Sequence, residues 1–160
     1  KKVAHRNIQS PTQVKALITG LQKDAPTPLF MAVDQEGGRV NRLKPKYGFP
    51  SSVSAQYLGD MDNVDSTRYY GNRIASICQE LGFNVNFAPA VDVHINPESP
   101  AIGKIERSYA ADPGLVIKHA EILIKAQDKN YLLLYIIFLY KVITVSIFNY
   151  SSSAIFIKCI

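Results

Sequence analysis

The chain has 160 residues, a formal net charge of +5 and a mean hydropathy of −0.01. This length can hold one domain with a core, and charges of both signs are interspersed, so the composition does not favour nucleic-acid binding. Cys78 and Cys159 lie far apart, which indicates neither a disulfide framework nor a metal-ligand spacing. No signal peptide is visible, although the chain does not begin with Met.

The first predicted element is a helix over residues 11–22. Ser10 can serve as its N-cap, Pro11 fits the first helical position, and Gln13 can close a capping box. Apolar residues then recur at i, i+3, i+4 and i+7 and form one stripe: Val14, Leu17, Ile18 and Leu21.

A buried strand is predicted over residues 29–33, because an unbroken apolar run is typical of a sheet covered on both faces. The run ends abruptly at Asp34, and an acid, a glycine pair and two arginines follow. Ligands of α/β folds bind beyond the carboxyl ends of the strands. Position alone therefore makes Asp34 a ligand-binding candidate, and the alternative is a simple turn through the glycine pair.

The later segments continue the alternation of helices and strands. We predict a short helix around residues 52–58, a helix over 66–81 that ends at Gly82, a strand over 83–88 and a helix over 113–127. The order favours a parallel sheet with crossover helices, either a βα-barrel or an open doubly wound sheet. The expected inward positions of the two longer helices are Ile74, Ile77, Cys78, Leu81, Val116, Ala120, Leu123 and Ile124.

The composition changes sharply at residue 131. Residues 131–160 contain no Gly, Pro, Asp, Glu, Arg, Gln, His or Met. One interpretation is a membrane helix over residues 131–148, with the single charge of Lys141 near its middle. The interpretation that we favour is out-of-frame translation of A/T-rich DNA. We therefore divide the chain into residues 1–130 and an unrelated apolar tail, residues 131–160.

Three segments of the chain resemble the N-terminal barrel domain of glycoside hydrolase family 3, most closely its bacterial β-N-acetylglucosaminidases (β-N-acetylhexosaminidases). "AVDQEGGRVNRL" resembles the family's D-Q-E-G-G-R-V-x-R segment, and "LGFNVNFAPAVDV" resembles its G-x-N-x-x-F-A-P-x-x-D-V strand and loop. "NPESPAIGKIERSYAADPGLV" resembles its I-G-x-R-S-[FY]-x-x-D-P segment. The resemblance covers about residues 7–130.

The resemblance implies part of a (β/α)₈ barrel, incomplete in this chain, from an enzyme that removes β-linked N-acetylglucosamine with retention of configuration. Asp34 matches the family's sugar-binding Asp, and Arg42 and Arg107 match arginines that help to bind the sugar. These roles are physically sensible, since charge-assisted hydrogen bonds to hydroxyl groups are about twice as strong as neutral ones. An Arg fork also donates in a fixed geometry.

The resemblance assigns no catalytic residue to this chain. The family's acid/base His follows a Lys-His segment beyond the matching region, and its nucleophilic Asp lies further along. We therefore expect residues 1–160 alone to be inactive. The alternatives are a β-glucosidase or β-xylosidase fragment of the same family, and a non-catalytic sugar-binding or membrane-tethered remnant. The sequence "DQEGGRV" favours the β-N-acetylhexosaminidase branch of the family over the β-glucosidase and β-xylosidase alternatives.

The same resemblance implies a small saccharide or a muropeptide-type substrate, with no metal, no cofactor and no nucleic acid. A complete protein is expected to be a cytoplasmic monomer, and membrane contact is expected only if the tail is genuine.

The sequence also allows a prediction for several other charged residues and for one histidine. Glu36 and Arg39 are expected to pair with each other or to cap the loop. Asp92 is expected to hold the backbone amides of its own loop, and contact with the sugar is the alternative. Glu106 is expected to contact the ligand or to orient the arginine beside it. His119 is expected to be solvated or partly packed.

Overall fold

A computed structural model describes residues 7–129 and the backbone of two short strands, residues 133–134 and 157–159. The helices and strands alternate as the sequence predicts. In chain order they are α1 (Pro11–Asp24), β1 (Phe30–Val33), α2 (Ala55–Met61), α3 (Val64–Leu81), β2 (Val85–Asn86), α4 (Pro113–Lys129), β3 (Leu133–Leu134) and β4 (Ile157–Cys159).

The strands form one parallel sheet in the order β3-β2-β1-β4. Ala32 lies beside Val85 and Val33 beside Asn86, so the predicted parallel pairing of β1 and β2 is confirmed. Strands β3 and β4 extend the sheet at its two edges, and both come from the segment that the sequence analysis sets apart as a tail. The domain boundary at residue 130 remains a prediction.

The strand predicted over residues 83–88 is only two residues long as a regular strand, although its hydrogen bonds to β1 extend further. The Asn84 N–H donates to the Met31 carbonyl oxygen (3.1 Å), and the Phe87 N–H donates to that of Val33 (2.9 Å). Pro89 has no N–H group with which to continue this pairing. The prediction therefore located the strand correctly but overstated its regular length.

The helix ends follow the capping residues. Ser10 accepts from the Gln13 N–H (3.1 Å), as predicted, and the Gln13 side chain reaches back to the Gln9 N–H (3.0 Å). Helix α3 starts at Val64, two residues before its predicted start, because the side chain of Asn63 caps it and accepts from the Ser66 N–H (2.9 Å).

One core cluster lies between α1, β1 and α3, and a second, smaller cluster lies between α2 and α4. Val14 and Ile18 of α1 are buried in the first cluster, as the stripe predicts, and Cys78 is buried as a core residue. The prediction for His119 is wrong, since its side chain is fully buried. The imidazole ring stacks on the ring of Tyr109, with 5.5 Å between the ring centroids. Nδ1 of His119 lies 2.8 Å from the Thr67 hydroxyl group.

No helix in the described part of the chain is long and apolar enough to cross a membrane. Most of the segment that the sequence analysis considered as a membrane helix, residues 131–148, lies outside the described residues.

Candidate functional site

A buried glutamine organises the loop that follows β1. Gln35 is 3% exposed, and its Oε1 accepts hydrogen bonds from the N–H groups of Arg42 (3.1 Å) and Leu43 (3.0 Å). Its Nε2 donates to Oδ1 of Asn41 (3.0 Å). A single side chain thus replaces the backbone partners that this irregular loop lacks, and the loop has a fixed shape.

The neighbouring strand anchors the same residue. The N–H of Gln35 donates to Oδ1 of Asn86 (3.0 Å), and Nδ2 of Asn86 donates to the Gln35 carbonyl oxygen (3.2 Å). Asn86 is fully buried in β2. Neither residue was predicted, although an Asn among the apolar residues of "FNVNFA" indicates a buried polar contact.

The glycine pair is required by the shape of this loop. Gly37 has a φ of +102° and Gly38 a φ of +53°. A Cβ on Gly37 would lie 2.3 Å from the Val53 carbonyl oxygen, and one on Gly38 would lie 2.6 Å from the Cβ of Ser54. No L side chain fits at either position without a shift of the neighbouring backbone.

Asp34 and Arg42 form an ion pair at the carboxyl end of β1. Nη2 of Arg42 donates to Oδ2 of Asp34 (3.1 Å). The side chain of Arg42 is 47% exposed and that of Asp34 is 39% exposed. Because both groups remain in contact with solvent, each can exchange part of this contact for a hydroxyl or carbonyl group of a ligand.

Glu36 and Arg107 form a second, buried ion pair. The guanidinium donates through Nε (2.9 Å) and Nη2 (2.7 Å) to the two carboxylate oxygens. The side chain of Arg107 is 12% exposed and that of Glu36 is 8% exposed. Nη1 donates to the carbonyl oxygen of Ala101 (3.0 Å). The hydrogen bonds to Glu36 raise the pKa of Arg107 despite burial, and the charges of Asp92 and Asp34 contribute.

The expected pairing of Glu36 with Arg39 is wrong, because Glu36 is engaged by Arg107. Nε of Arg39 instead lies 3.6 Å from the carboxylate of Glu106, and both side chains are exposed. Glu106 therefore pairs with Arg39 and does not orient Arg107 through an ion pair.

The loop after β2 is stabilised by Ser108. Its Oγ lies within hydrogen-bonding distance of the carbonyl oxygens of Asp92 (2.5 Å) and Ala110 (3.1 Å). This contact holds the two ends of the segment that leads to Arg107 near each other.

The three residues predicted to bind the sugar therefore belong to one region. Asp34 and Arg42 are in contact, and Arg107 is fixed by Glu36, two residues beyond Asp34. Their roles in binding remain predictions. Within the described residues, no group of three or more His, Cys, Asp or Glu side chains could hold a metal ion.

A parallel sheet with charged side chains at the carboxyl ends of its strands is the arrangement in which α/β-barrels hold their ligand sites. Residues 3–145 match the Glycosyl hydrolase family 3 N terminal domain, and the chain belongs to this family. As predicted, it forms part of a (β/α)₈ barrel.

Relatives with assigned names agree with the family. A β-hexosaminidase A of Pseudoalteromonas piscicida is 36% identical over 133 residues, which are 75% of this chain and 21% of that protein. The β-hexosaminidase LpqI of Mycobacterium tuberculosis is 37% identical over 95 residues, 59% of this chain and 24% of the relative. The chain thus spans between about a fifth and a quarter of the length of these two relatives.

Solved structures give the same result. A glycoside hydrolase family 3 β-N-acetylglucosaminidase from Paenibacillus has a TM-score of 0.77 and 30% identity, over 84% of this chain and 26% of that one. NagZ from Neisseria gonorrhoeae in complex with N-trifluoroacetyl-D-glucosamine has a TM-score of 0.69 and 29% identity, over 78% of this chain and 37% of that one.

Proposed function

We propose that this chain forms the sugar-binding part of a β-N-acetylhexosaminidase, a glycosidase that removes terminal β-linked N-acetylglucosamine with retention. The observation that carries the proposal is the exposed Asp34–Arg42 pair beside the fixed guanidinium of Arg107, beyond β1. The names of the relatives support the N-acetylhexosamine class, since they are β-hexosaminidases and a β-N-acetylglucosaminidase.

The two ion pairs suit a polar ligand with many hydroxyl groups. The carboxylate of Asp34 accepts hydrogen bonds from sugar hydroxyls, and the guanidinium groups of Arg42 and Arg107 donate to hydroxyl or N-acetyl oxygens. Since Glu36 already holds Arg107 in one orientation, little of the side-chain entropy of Arg107 remains to be lost on binding.

In this proposal, the described residues bind the sugar and do not react with it. A retaining glycosidase needs a carboxylate nucleophile and an acid/base group on opposite sides of the scissile bond. Asp34 and Glu36 are both paired with arginines, whose hydrogen bonds they accept. We expect residues 1–160 alone to bind a sugar without cleaving a chromogenic β-N-acetylglucosaminide, and turnover that Asp34→Ala abolishes would contradict this.

The test is to measure N-acetylglucosamine binding to the 160-residue chain by titration calorimetry. Asp34→Asn should weaken binding by at least about tenfold, because a hydrogen bond to a charged group contributes about 1.5–3 kcal/mol. Asp65→Asn is the matched control, since Asp65 is also an exposed Asp paired with an arginine, Arg68. An equal effect of the two substitutions, or tighter binding of glucose than of N-acetylglucosamine, would contradict the proposal.

A further inference from the structure

His119 is a buried polar residue that the proposed sugar site does not use. Its side chain is fully buried in α4, and both of its ring nitrogens have partners. Nδ1 lies 2.8 Å from the hydroxyl oxygen of Thr67 in α3, and Nε2 lies 3.1 Å from Oδ1 of Asp62, the C-cap of α2. Nζ of Lys118 donates to the same carboxylate oxygen (2.6 Å). Because partners at both nitrogens fix the ring, its plane has one orientation relative to α2, α3 and α4.

The fixed ring of His119 supports Tyr109. The two rings are nearly parallel, with 11° between their planes, and the 5.5 Å between their centroids is within the range in which aromatic rings attract each other. Tyr109 is buried in the core cluster between α2 and α4. The backbone of Gly59 in α2 lies so near that a Cβ there would be 1.6 Å from the Tyr109 carbonyl oxygen. Tyr109 is therefore held through its ring by α4 and through its backbone by α2.

Tyr109 is close to Arg107 both in the chain and in its electrostatic surroundings. Only Ser108 separates the two residues in the sequence. Burial raises the pKa of Tyr109, and the negative charge of Glu36 raises it further. The same carboxylate accepts two hydrogen bonds from the guanidinium of Arg107. A displacement of Tyr109 would therefore move the segment that carries Arg107 and would change the surroundings of its counterion.

We propose that His119 is a positioning residue for Arg107, and that it acts through the stacked ring of Tyr109. The inference rests on the proposed function, in which Arg107 donates to the sugar, and it adds a residue of α4 that contacts neither the sugar nor the guanidinium. The ring of His119 sets the position of Tyr109, and Tyr109 sets the direction from which the guanidinium meets the sugar. This direction matters because hydrogen bonds weaken steeply as they depart from linearity.

The test is a double-mutant cycle on the affinity for N-acetylglucosamine, measured by titration calorimetry on the whole chain. His119→Leu removes the ring and its polar atoms, and it should weaken binding about fivefold, within the roughly two- to hundredfold range of coupled residues. In an Arg107→Lys background, which keeps a charge beside Glu36 but loses the planar fork, His119→Leu should change the affinity by less than about twofold. The same factor in both backgrounds would overturn the proposal, since a general loss of packing does not depend on the side chain at position 107.

Two further variants separate positioning from stability. Thr67→Val removes only the hydroxyl group at Nδ1 and should also weaken binding, so it serves as the test if His119→Leu does not fold. Thr67→Ser is its matched control, because it keeps the hydroxyl group and should keep the affinity. Ile18→Val, in the other core cluster, should lower the Tm without weakening binding. An affinity that falls with the Tm in all of these variants would overturn the positioning role.

A second measurement does not need the sugar. The Nε–H group of Arg107 donates to Glu36, so its ¹H–¹⁵N resonance reports the geometry of that ion pair. His119→Leu should shift this resonance, whereas Ile18→Val should not. An unshifted resonance in His119→Leu would overturn the positioning role even if the sugar binds. A shifted resonance in a chain that does not bind N-acetylglucosamine would instead overturn the proposed function, while the positioning of Arg107 by His119 would stand.

Discussion

The buried pair of Glu36 and Arg107 gives the sharpest prediction on stability. Glu36→Gln keeps the shape of the side chain but removes its charge, so a guanidinium that is 12% exposed loses its main counterion. Removing one partner of a buried ion pair costs about 3–5 kcal/mol. The low end, about 3 kcal/mol, is expected here, because Gln still accepts one hydrogen bond and two further carboxylates, Asp34 and Asp92, act on the guanidinium.

The matched control is Glu106→Gln, the same chemical change at a glutamate that is also paired with an arginine. Its side chain and that of Arg39 are 41% and 63% exposed, so the expected cost is about 1 kcal/mol or less. The chain contains no Trp, so urea unfolding is followed by far-ultraviolet circular dichroism. At about 2–4 °C per kcal/mol, Glu36→Gln should lower the Tm by about 6–12 °C. Equal unfolding free energies of the two variants would refute the reasoning.

Three further predictions use single sites. Gly38→Ala should destabilise the chain by more than about 1 kcal/mol because of its positive φ, whereas Gly20→Ala, in open space on α1, should stabilise it by about 0.5–1 kcal/mol; urea titrations that give both the same sign would contradict this. Burial raises the pKa of Cys78 to about 12, so in a variant whose other cysteine is serine a thiol reagent at pH 8 should react only after unfolding, and rapid labelling of the native chain would show an open core. The hydrogen bond from Lys118 lowers the pKa of Asp62 below its ordinary 3.8. Asp62→Asn should therefore lower the free energy of unfolding at pH 6, and the difference between the two proteins should vanish as the pH falls through the folded pKa of Asp62. A difference in unfolding free energy that grows in acid would contradict this.

Local signals in the sequence predicted most of the fold. The Ser10 cap, which accepts from the Gln13 N–H (3.1 Å), is a short-range contact that residue types and spacing express directly. The apolar run of β1 and the stripes of α1 and α3 reflect periodicities of burial. The start of α3 was misplaced because the prediction began the helix at Ser66, whereas the side chain of Asn63 caps it and the first helical residue is Val64.

Long-range polar contacts could not be predicted in this way. The hydrogen bonds between Gln35 and Asn86 join residues 51 positions apart, and the ion pair of Glu36 and Arg107 spans 71. Local pattern does not reveal such partners, so the nearer Arg39 was chosen for Glu36. His119 was misjudged for the same reason, since its burial depends on contacts to two other helices and to Tyr109.

The different exposure of the two ion pairs explains how one loop can be both rigid and available to a ligand. A group that binds a sugar must give up a contact with solvent or with a partner, and this exchange is least costly for the half-exposed Asp34 and Arg42. A group that fixes the geometry must not exchange its partner, and the buried pair of Glu36 and Arg107 meets that condition because separating it would leave an uncompensated charge. Gln35 connects the two pairs through the backbone, since it lies between Asp34 and Glu36 and its side chain holds the Arg42 N–H. A substitution at Gln35 should therefore weaken sugar binding through the displacement of Arg42, although Gln35 itself does not contact the sugar in this proposal.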